Sequence, residues 1–211
     1  MLISWNCGRF NRLTRKPVNN FDFILNAFKN MKTVGTVFPC SPQAARKMTK
    51  PVNFEEAKFL VELGGGNGAI TKEILQQMRP ETKLMVFELN PAYAESLRKL
   101  GDSRMTVIND SAEHLEKYLQ EAGVEQVDAV ISTLPLVMFD EKMRNDIMDA
   151  VMRVVKPSGV FIQIQLSLLT KKEMEERFPN LRIAFTLFNI LPAFFYIVTK
   201  DSEEVVELAK A

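Results

Sequence analysis

A glycine-rich segment, VELGGGNG at residues 61–68, is the strongest chemical signal in the chain. It follows a short apolar run and precedes an amphipathic stretch at 69–78, which is the order strand, turn, helix. Gly64, Gly66 and Gly68 allow a tight turn and a close approach of the backbone to a ligand. The N-terminus of the following helix would point to the same place. The segment therefore predicts a small-molecule binding site.

Two acidic residues bear on which ligand this loop holds. Glu88 ends the next apolar run, twenty residues after the last glycine of the loop, where a carboxylate can accept hydrogen bonds from ribose hydroxyls. The loop also fits the GxGxx[GA] pattern of nicotinamide dinucleotide sites if Ala69 is its last residue. Glu62 lies two residues before the first glycine, in the pattern ExGxGxG, and an acid there suits a cationic amino-acid group better than a pyrophosphate.

Strands and helices alternate from residue 58 onward, which predicts an α/β fold with a doubly wound, seven-stranded and mostly parallel sheet. Only four residues, NILP, separate the last two apolar runs, so we expect an antiparallel hairpin there. A dinucleotide fold would continue with parallel units instead. The predicted strands are 58–63, 83–89, 104–110, 127–133, 160–166, 182–188 and 193–200, and the helices 69–78, 91–100, 111–122, 140–155 and 171–177.

These features together resemble the class I S-adenosylmethionine-dependent methyltransferases, with their Rossmann-like fold, over about residues 55–200. The resemblance implies that S-adenosyl-L-methionine is the cofactor. Glu88 would bind its ribose, Leu89 would pack on the adenine, and Asp110 would meet the adenine amino group. The full set of implied cofactor contacts is Glu62, Gly64, Gly65, Gly66, Asn67, Gly68, Glu88, Leu89, Asp110, Ser111, Ala112 and Ser132. No metal is expected, and two cysteines are too few for a zinc site.

The end of the fourth predicted strand, STLPLVMF at 132–139, bears on the methyl acceptor. Class I enzymes hold a nucleophilic nitrogen there, and adenine methyltransferases carry an [NDS]-[PL]-P-[YF] motif whose aromatic ring stacks on the base. In this chain Leu136 stands at the aromatic position, and leucine stacks poorly on a base. This argues against an adenine acceptor, although Phe139 could substitute for the missing ring.

Several segments together resemble the bacterial phospholipid and ornithine-lipid N-methyltransferases. They are residues 33–48, 131–139, 161–165 and 189–198, with Thr133 in place of the glycine of the S-G-L-P motif of those families. The resemblance implies that the acceptor is the amine of a lipid headgroup, phosphatidylethanolamine or ornithine lipid. The groups predicted to position this amine are Ser132, Leu134, Pro135, Gln163 or its neighbour Gln165, and Tyr196.

The charge is unevenly distributed, although the formal net charge is only +1. Residues 1–50 hold nine basic residues and one acid, which leaves eighteen basic and twenty-five acidic residues in 51–211. An amphipathic helix is predicted near 20–31, with an apolar face that includes Phe21, Ile24 and Leu25. A basic amphipathic segment suits an anionic membrane surface, so residues 1–32 are predicted to contact one. RNA would also attract it.

We therefore expect a basic, amphipathic N-terminal extension at 1–50, which contacts the membrane or the substrate, and a methyltransferase domain at 51–211. The chain lacks a secretory signal, so we expect a cytoplasmic protein peripherally associated with the inner face of the membrane. The uncharged stretch 183–198 is shorter than the roughly 20 residues needed to span a bilayer. Nucleic acid is a less favoured partner. Two alternatives remain open: an RNA adenine-N6 (di)methyltransferase and a catalytically silent cofactor-binding module.

Overall fold

The computed structural model describes residues 40–186 and 193–200, which contain a single seven-stranded sheet. Its strand order is β3-β2-β1-β4-β5-β7-β6. Strands β1 to β5 pair in parallel, whereas β7 lies antiparallel between β5 and β6. The predicted doubly wound sheet and its terminal hairpin are confirmed. The strands are β1 (Phe59–Leu63), β2 (Lys83–Phe87), β3 (Met105–Ile108), β4 (Val127–Ser132), β5 (Val155–Gln165), β6 (Leu181–Thr186) and β7 (Ala193–Thr199).

Three of the helices follow a residue whose side chain satisfies a free backbone donor. Ser41, Asn90 and Asp140 each accept a hydrogen bond from a backbone N–H in the first turn of the helix that they precede. The helices are α1 (Pro42–Thr49), α2 (Ala69–Gln77), α3 (Pro91–Arg98), α4 (Leu115–Glu121), α5 (Glu141–Val154) and α6 (Lys171–Arg177), with 3-10 turns at Ala112–His114 and Leu136–Met138.

Helices cover both faces of the sheet, and each face has its own apolar core. On one face α1, α2 and α3 contribute buried side chains such as Met48, Ile74 and Leu97. On the other face α4, α5 and α6 contribute Leu119, Val151, Met174 and their neighbours. Alternate residues of each strand face opposite cores. The parallel strands therefore carry their functional side chains to the edge at which β1 to β5 end.

Two boundaries differ from the expectation. Strand β5 begins at Val155 rather than at 160, and it includes Pro157 and Gly159, two residue types that more often end an element. The pairing of β4 with β5 shifts register between Val127 and Ala129, and this irregularity admits a proline that lacks an N–H. Helix α1 was not predicted as a helix; its buried Met48 packs in the same core as α2.

Some predictions fall outside the described residues. The amphipathic helix near 20–31 and most of the N-terminal extension lie in residues 1–39, so the division of the chain at residue 50 stays a prediction. Residues 187–192 and 201–211 are likewise not described. Within the two described ranges, no helix has the length and apolar character needed to cross a bilayer.

Candidate cofactor and acceptor site

The glycine loop is held between the ends of β2 and β4. The N–H groups of Gly64 and Gly65 donate to the Phe87 carbonyl oxygen at 2.8 and 3.1 Å. The Thr133 hydroxyl donates to the Gly64 carbonyl oxygen at 2.6 Å. Gly64 has a φ of 85°, and a Cβ there would lie 2.7 Å from Oγ1 of Thr133. The loop therefore requires glycine at this position for both its backbone conformation and its close packing.

The remaining loop residues divide between packing and helix initiation. A Cβ on Gly65 would lie 2.5 Å from Cγ1 of Val86 and 2.7 Å from Cδ1 of Leu97, so Gly65 brings α3 close to the sheet. Gly66 is also buried and left-handed, with a φ of 51°. Gly68 occupies the N-cap of α2, and exposed Asn67 accepts a hydrogen bond from the Ala69 N–H at 3.1 Å.

Glu88 joins the end of β2 to the glycine loop. One carboxylate oxygen accepts the Gly66 N–H at 2.7 Å, and the other accepts the Asn90 N–H at 2.7 Å. The Asn109 side-chain amide donates to the carbonyl oxygens of Glu88 and Leu89 at 2.8 and 3.0 Å. The Leu89 side chain is 70% exposed. The predicted contacts of Glu88 with the ribose and of Leu89 with the adenine stay predictions, and an oriented acid beside an exposed apolar residue is compatible with them.

Asp110 is oriented by three partners. Its carboxylate accepts the Ser111 N–H at 2.7 Å and the Tyr118 hydroxyl at 2.8 Å, and lies 3.0 Å from Nδ1 of His114. These hydrogen bonds, that from Ser111 first, hold the pKa of Asp110 below its ordinary value. Ser111 caps the following 3-10 turn, and Ala112 is buried within it. Asp110, which follows β3, is therefore ionised and can accept hydrogen bonds.

Glu62 is buried next to the loop without a hydrogen-bonding partner on either carboxylate oxygen. Burial raises the pKa of Glu62 to about 8; the charge of Glu88 adds to the rise, while the neighbouring Thr71 acts in the opposite direction. A buried acid without a partner is costly, and a cationic group would satisfy it. Together with the glycine loop and Glu88, this orphaned acid fits the amino group, ribose and adenine of S-adenosylmethionine.

Three of the predicted acceptor-positioning residues, Ser132, Gln163 and Tyr196, lie in one row of the sheet. Ser132 on β4 pairs with Gln163 on β5, which pairs with Tyr196 on β7. The Gln163 side-chain amide donates to the Leu134 carbonyl oxygen at 2.8 Å, and the Leu134 N–H donates to the Ser132 hydroxyl at 3.3 Å. Pro135 precedes the 3-10 turn that starts at Leu136. The sheet register thus brings together side chains that are far apart in sequence.

The structure also shows supporting residues that the sequence interpretation missed. Thr133 fixes the glycine loop, Asn109 fixes the end of β2, and Thr71 lies beside Glu62. The role of Asn109 at the end of β2 could have been inferred from its position directly before Asp110. Half-buried Cys40 has its thiol pKa raised to about 12, first by desolvation and then by the nearby charge of Glu62. Among the residues that the structure covers, no cluster of three or more His, Cys, Asp or Glu could hold a metal ion.

The fold and the site define a class I S-adenosylmethionine-dependent methyltransferase. A profile described as a methyltransferase domain matches residues 60–159. Ornithine lipid N-methyltransferase of Singulisphaera acidiphila is 31% identical over 179 residues, which cover 83% of this chain and 93% of that protein. The chain belongs to the family of S-adenosylmethionine-dependent methyltransferases that includes this relative, and S-adenosyl-L-methionine is its cofactor.

Two further similarities are narrower. Ribosomal RNA small subunit methyltransferase H of Christiangramia forsetii is 34% identical over 71 residues, only 34% of this chain and 23% of that protein. The crystal structure of precorrin-6y C5,15-methyltransferase from Geobacter metallireducens superposes with a TM-score of 0.59 and 18% identity, over 75% of this chain and 88% of that one. The second similarity concerns the fold alone.

Proposed function

We propose that the chain is an N-methyltransferase that acts on the amine of a membrane lipid headgroup, phosphatidylethanolamine or ornithine lipid. The observation that carries the proposal is the similarity to an ornithine lipid N-methyltransferase along 83% of the chain. The acceptor edge supports it. Leu136, at the position where adenine methyltransferases have an aromatic ring, is only 1% exposed and so offers no stacking surface.

The chemistry requires positioning more than acid or base groups. Bound S-adenosylmethionine supplies an electrophilic methyl carbon on a sulfonium. In the transfer, the lone pair of the neutral amine would form the nitrogen–carbon bond while the carbon–sulfur bond breaks with its electron pair left on sulfur, and the product would be the methylated ammonium. Holding the two reactants in line accounts for most of the acceleration of such a displacement. The Leu134 carbonyl and the unpaired Oε1 of Gln163 can accept the amine N–H groups.

The attacking amine must be neutral, although a free alkyl amine has a pKa of roughly 10. Burial disfavours the ammonium form, and the positive charge of the sulfonium does the same. Among the described residues, His114 is engaged with Asp110 at 3.0 Å. The acceptor edge is lined by uncharged groups, including Ser132 and Gln163. We therefore assign the loss of the proton to desolvation of the amine and not to a side-chain base.

The basic extension supports a peripheral position on the cytoplasmic face of the membrane. Nine of the basic residues lie in 1–50, and each basic residue near an anionic surface contributes about 1 kcal/mol of attraction. Lipid headgroups must be reached at that surface. We propose that residues 1–32 hold the chain there, with the carboxyl edge of the sheet facing the lipid amines.

An RNA adenine is the second candidate acceptor, since short segments are similar to ribosomal RNA methyltransferases. The test is to offer labelled S-adenosylmethionine to vesicles of phosphatidylethanolamine, to vesicles of ornithine lipid and to unmodified ribosomal RNA in parallel. Label in a lipid is the expected result. Label in RNA alone would show that RNA, and not lipid, is the methyl acceptor. Cofactor binding without methylation of any of the three acceptors would indicate a catalytically silent module.

A further inference from the structure

Three exposed apolar side chains lie beyond the acceptor segment, on the hairpin side of the sheet. Leu168 and Leu169 are 44% and 60% exposed in the turn that joins β5 to α6, and Phe185 is 43% exposed near the end of β6. An apolar side chain exposed by itself is ordinary, whereas several at one place indicate a contact with a partner. The pairing of the strands shows how these three are placed.

The turn and the hairpin meet at the edge where β5 ends. Gln165 pairs with Phe194, and Phe194 pairs with Phe185, so Phe185 lies roughly 10 Å from the last residue of β5. The rings of Phe185 and Phe194 are in contact, with their centroids 5.1 Å apart. The Tyr196 hydroxyl donates to the Ser167 carbonyl oxygen at 3.5 Å, which ties the turn to β7. The exposed leucines of the turn and the exposed ring of the hairpin therefore lie at one edge of the sheet.

Three cations lie beside these apolar groups. Lys171 and Lys172 begin α6 directly after the turn, and their side chains are 45% and 88% exposed. From α1, the Lys47 ammonium donates to the Phe185 carbonyl oxygen. Long basic side chains can keep their charge in a polar layer while their methylene stems contact apolar surroundings. The edge therefore combines exposed apolar groups with positive charge.

Acidic residues are few here, although residues 51–211 as a whole contain more acids than basic residues. No Asp or Glu occurs in the ranges 155–172, 181–186 and 193–200. Glu173 in the first turn of α6 is paired with Arg144 at 2.8 Å. Glu175 and Glu176, which pair with the two lysines of α6 at 3.4 and 3.7 Å, stand one helical turn farther along the helix. Exposed pairs of this kind are weak and leave the lysines available to another anion.

A bilayer that contains anionic lipids matches this combination of groups. It offers anionic headgroups to the lysines, and hydrocarbon to the leucines and the phenylalanine. A second copy of this chain would bring like charges together across a two-fold contact, because such an interface uses the same surface on both copies. The charge of the edge therefore favours a lipid partner over self-association.

We propose that a membrane-docking surface, the hairpin patch, enters the headgroup region of an anionic bilayer and consists of Leu168, Leu169, Phe185, Lys47, Lys171 and Lys172. The inference rests on the proposed function and adds a contact separate from residues 1–32. Stable attachment to a membrane generally takes two signals, and three partly exposed apolar side chains are too few to hold the chain by themselves. The extension supplies the attraction, and the hairpin patch turns the neighbouring acceptor-positioning row of β4, β5 and β7 toward the lipid amines.

The direct test places a fluorescent reporter in the hairpin patch of the full chain. The single native tryptophan is removed by Trp5→Phe, and a new one is introduced by Leu169→Trp. The control carries Gln120→Trp instead, at an exposed position near the end of α4, which returns the chain to the opposite edge of the sheet. On phosphatidylglycerol vesicles that contain lipids brominated in the upper acyl chain, the emission of Leu169→Trp should be quenched and that of Gln120→Trp should not. Absence of quenching in a Leu169→Trp chain that sediments with these vesicles would overturn the proposal.

A second test separates docking from chemistry. Leu168→Ser combined with Leu169→Ser removes exposed groups without opening a core, so the melting temperature and the Kd for S-adenosylmethionine should stay the same. For phosphatidylethanolamine and ornithine lipid in anionic vesicles, kcat/KM should fall about tenfold because apolar contact with the bilayer is lost. For short-chain forms of both lipids, dispersed as monomers, it should stay within about twofold, because no docking is needed. Lys172→Glu should also lower the activity on vesicles, and Lys99→Glu, an exposed lysine at the end of α3, is its matched control.

The remaining outcomes are decided by the same measurements. Equal losses on vesicles and on monomeric lipids, or no loss on either, would overturn the docking surface and leave the proposed function standing. A lower melting temperature or a changed oligomeric state in the double variant would overturn it as well, because the leucines would then be covered by another part of the chain or by a second copy. Methylation of no lipid by the unaltered chain would overturn the proposed function, whereas the quenching would still test the docking surface.

Discussion

At the scale of single residues, Glu88 should contribute most to cofactor affinity. Its carboxylate is held by the N–H groups of Gly66 and Asn90, and it is available to ribose hydroxyls. Glu88→Ala should raise the Kd for S-adenosylmethionine about 10- to 100-fold, the effect of losing a charged hydrogen-bonding partner. Isothermal titration calorimetry measures this. Glu95→Ala, an exposed acid on α3, is the control, and an unchanged Kd in Glu88→Ala would remove Glu88 from the site.

Glu62 should make stability depend on pH. Its pKa is raised from 4.5 to about 8 by burial, so the folded chain keeps a proton that the unfolded chain releases between these values. The free energy of unfolding should therefore fall as pH rises from 5 to 8 and level off above that. Urea unfolding across this range measures the slope. Glu62→Gln, which remains neutral, should flatten it; an equal slope in this variant would show that Glu62 is not the titrating group.

The cofactor residues were predictable because the signal is local, whereas the contacts of the predicted acceptor residues were not. The glycine loop, Glu88 and Asp110 stand at the ends of consecutive strands, and each can be identified from its own segment. The unpaired atoms of Gln163 and Gln165 depend on the register of β4, β5 and β7 and on the loop that covers them. Neither property can be derived from a run of residues.

At the scale of elements, the contact of α3 with β2 should depend on Gly65. A Cβ there would lie 2.5 Å from Cγ1 of Val86 and 2.7 Å from Cδ1 of Leu97, so helix and strand would have to separate. Gly65→Ala should lower the free energy of unfolding by about 2–3 kcal/mol. Gly101→Ala is a useful control, since its Cβ would meet nothing within 4 Å and only its φ of 70° opposes the change.

The expected loss for that control is about 1 kcal/mol. Chemical denaturation of both variants measures the difference. A loss in Gly65→Ala no larger than that in Gly101→Ala would show that the packing of α3 on β2 tolerates a Cβ at residue 65.

Most helices and strands were predictable because, in α/β chains, turn residues mark the ends of the segments that show apolar periodicity. The hairpin followed from a connection too short for a helix, and β6 and β7 confirm it. The start of β5 was missed because Pro157 and Gly159 normally end an element, yet here they lie where the β4–β5 register shifts. Helix α1 was missed because all but the last of its eight residues were interpreted only as part of a longer motif at 33–48.

At the scale of the whole molecule, the uneven charge should govern membrane association. The chain should sediment with anionic vesicles, and salt should weaken this because dissolved ions screen the attraction between basic residues and an anionic surface. Deletion of residues 1–32 should abolish sedimentation while S-adenosylmethionine binding, measured by calorimetry, is retained. Vesicles of neutral lipid are the control. Sedimentation that persists after the deletion would place the membrane contact elsewhere in the chain.

The central claim is that the chain transfers methyl groups from S-adenosylmethionine to a lipid amine. The most direct measurement is mass spectrometry of both the lipids and the ribosomal RNA of bacteria that make ornithine lipid and express either the chain or its Glu88→Ala variant. The account predicts N-methylated headgroups that depend on the unaltered chain, with no change in ribosomal RNA. Unchanged lipids together with newly methylated adenines in ribosomal RNA would contradict it.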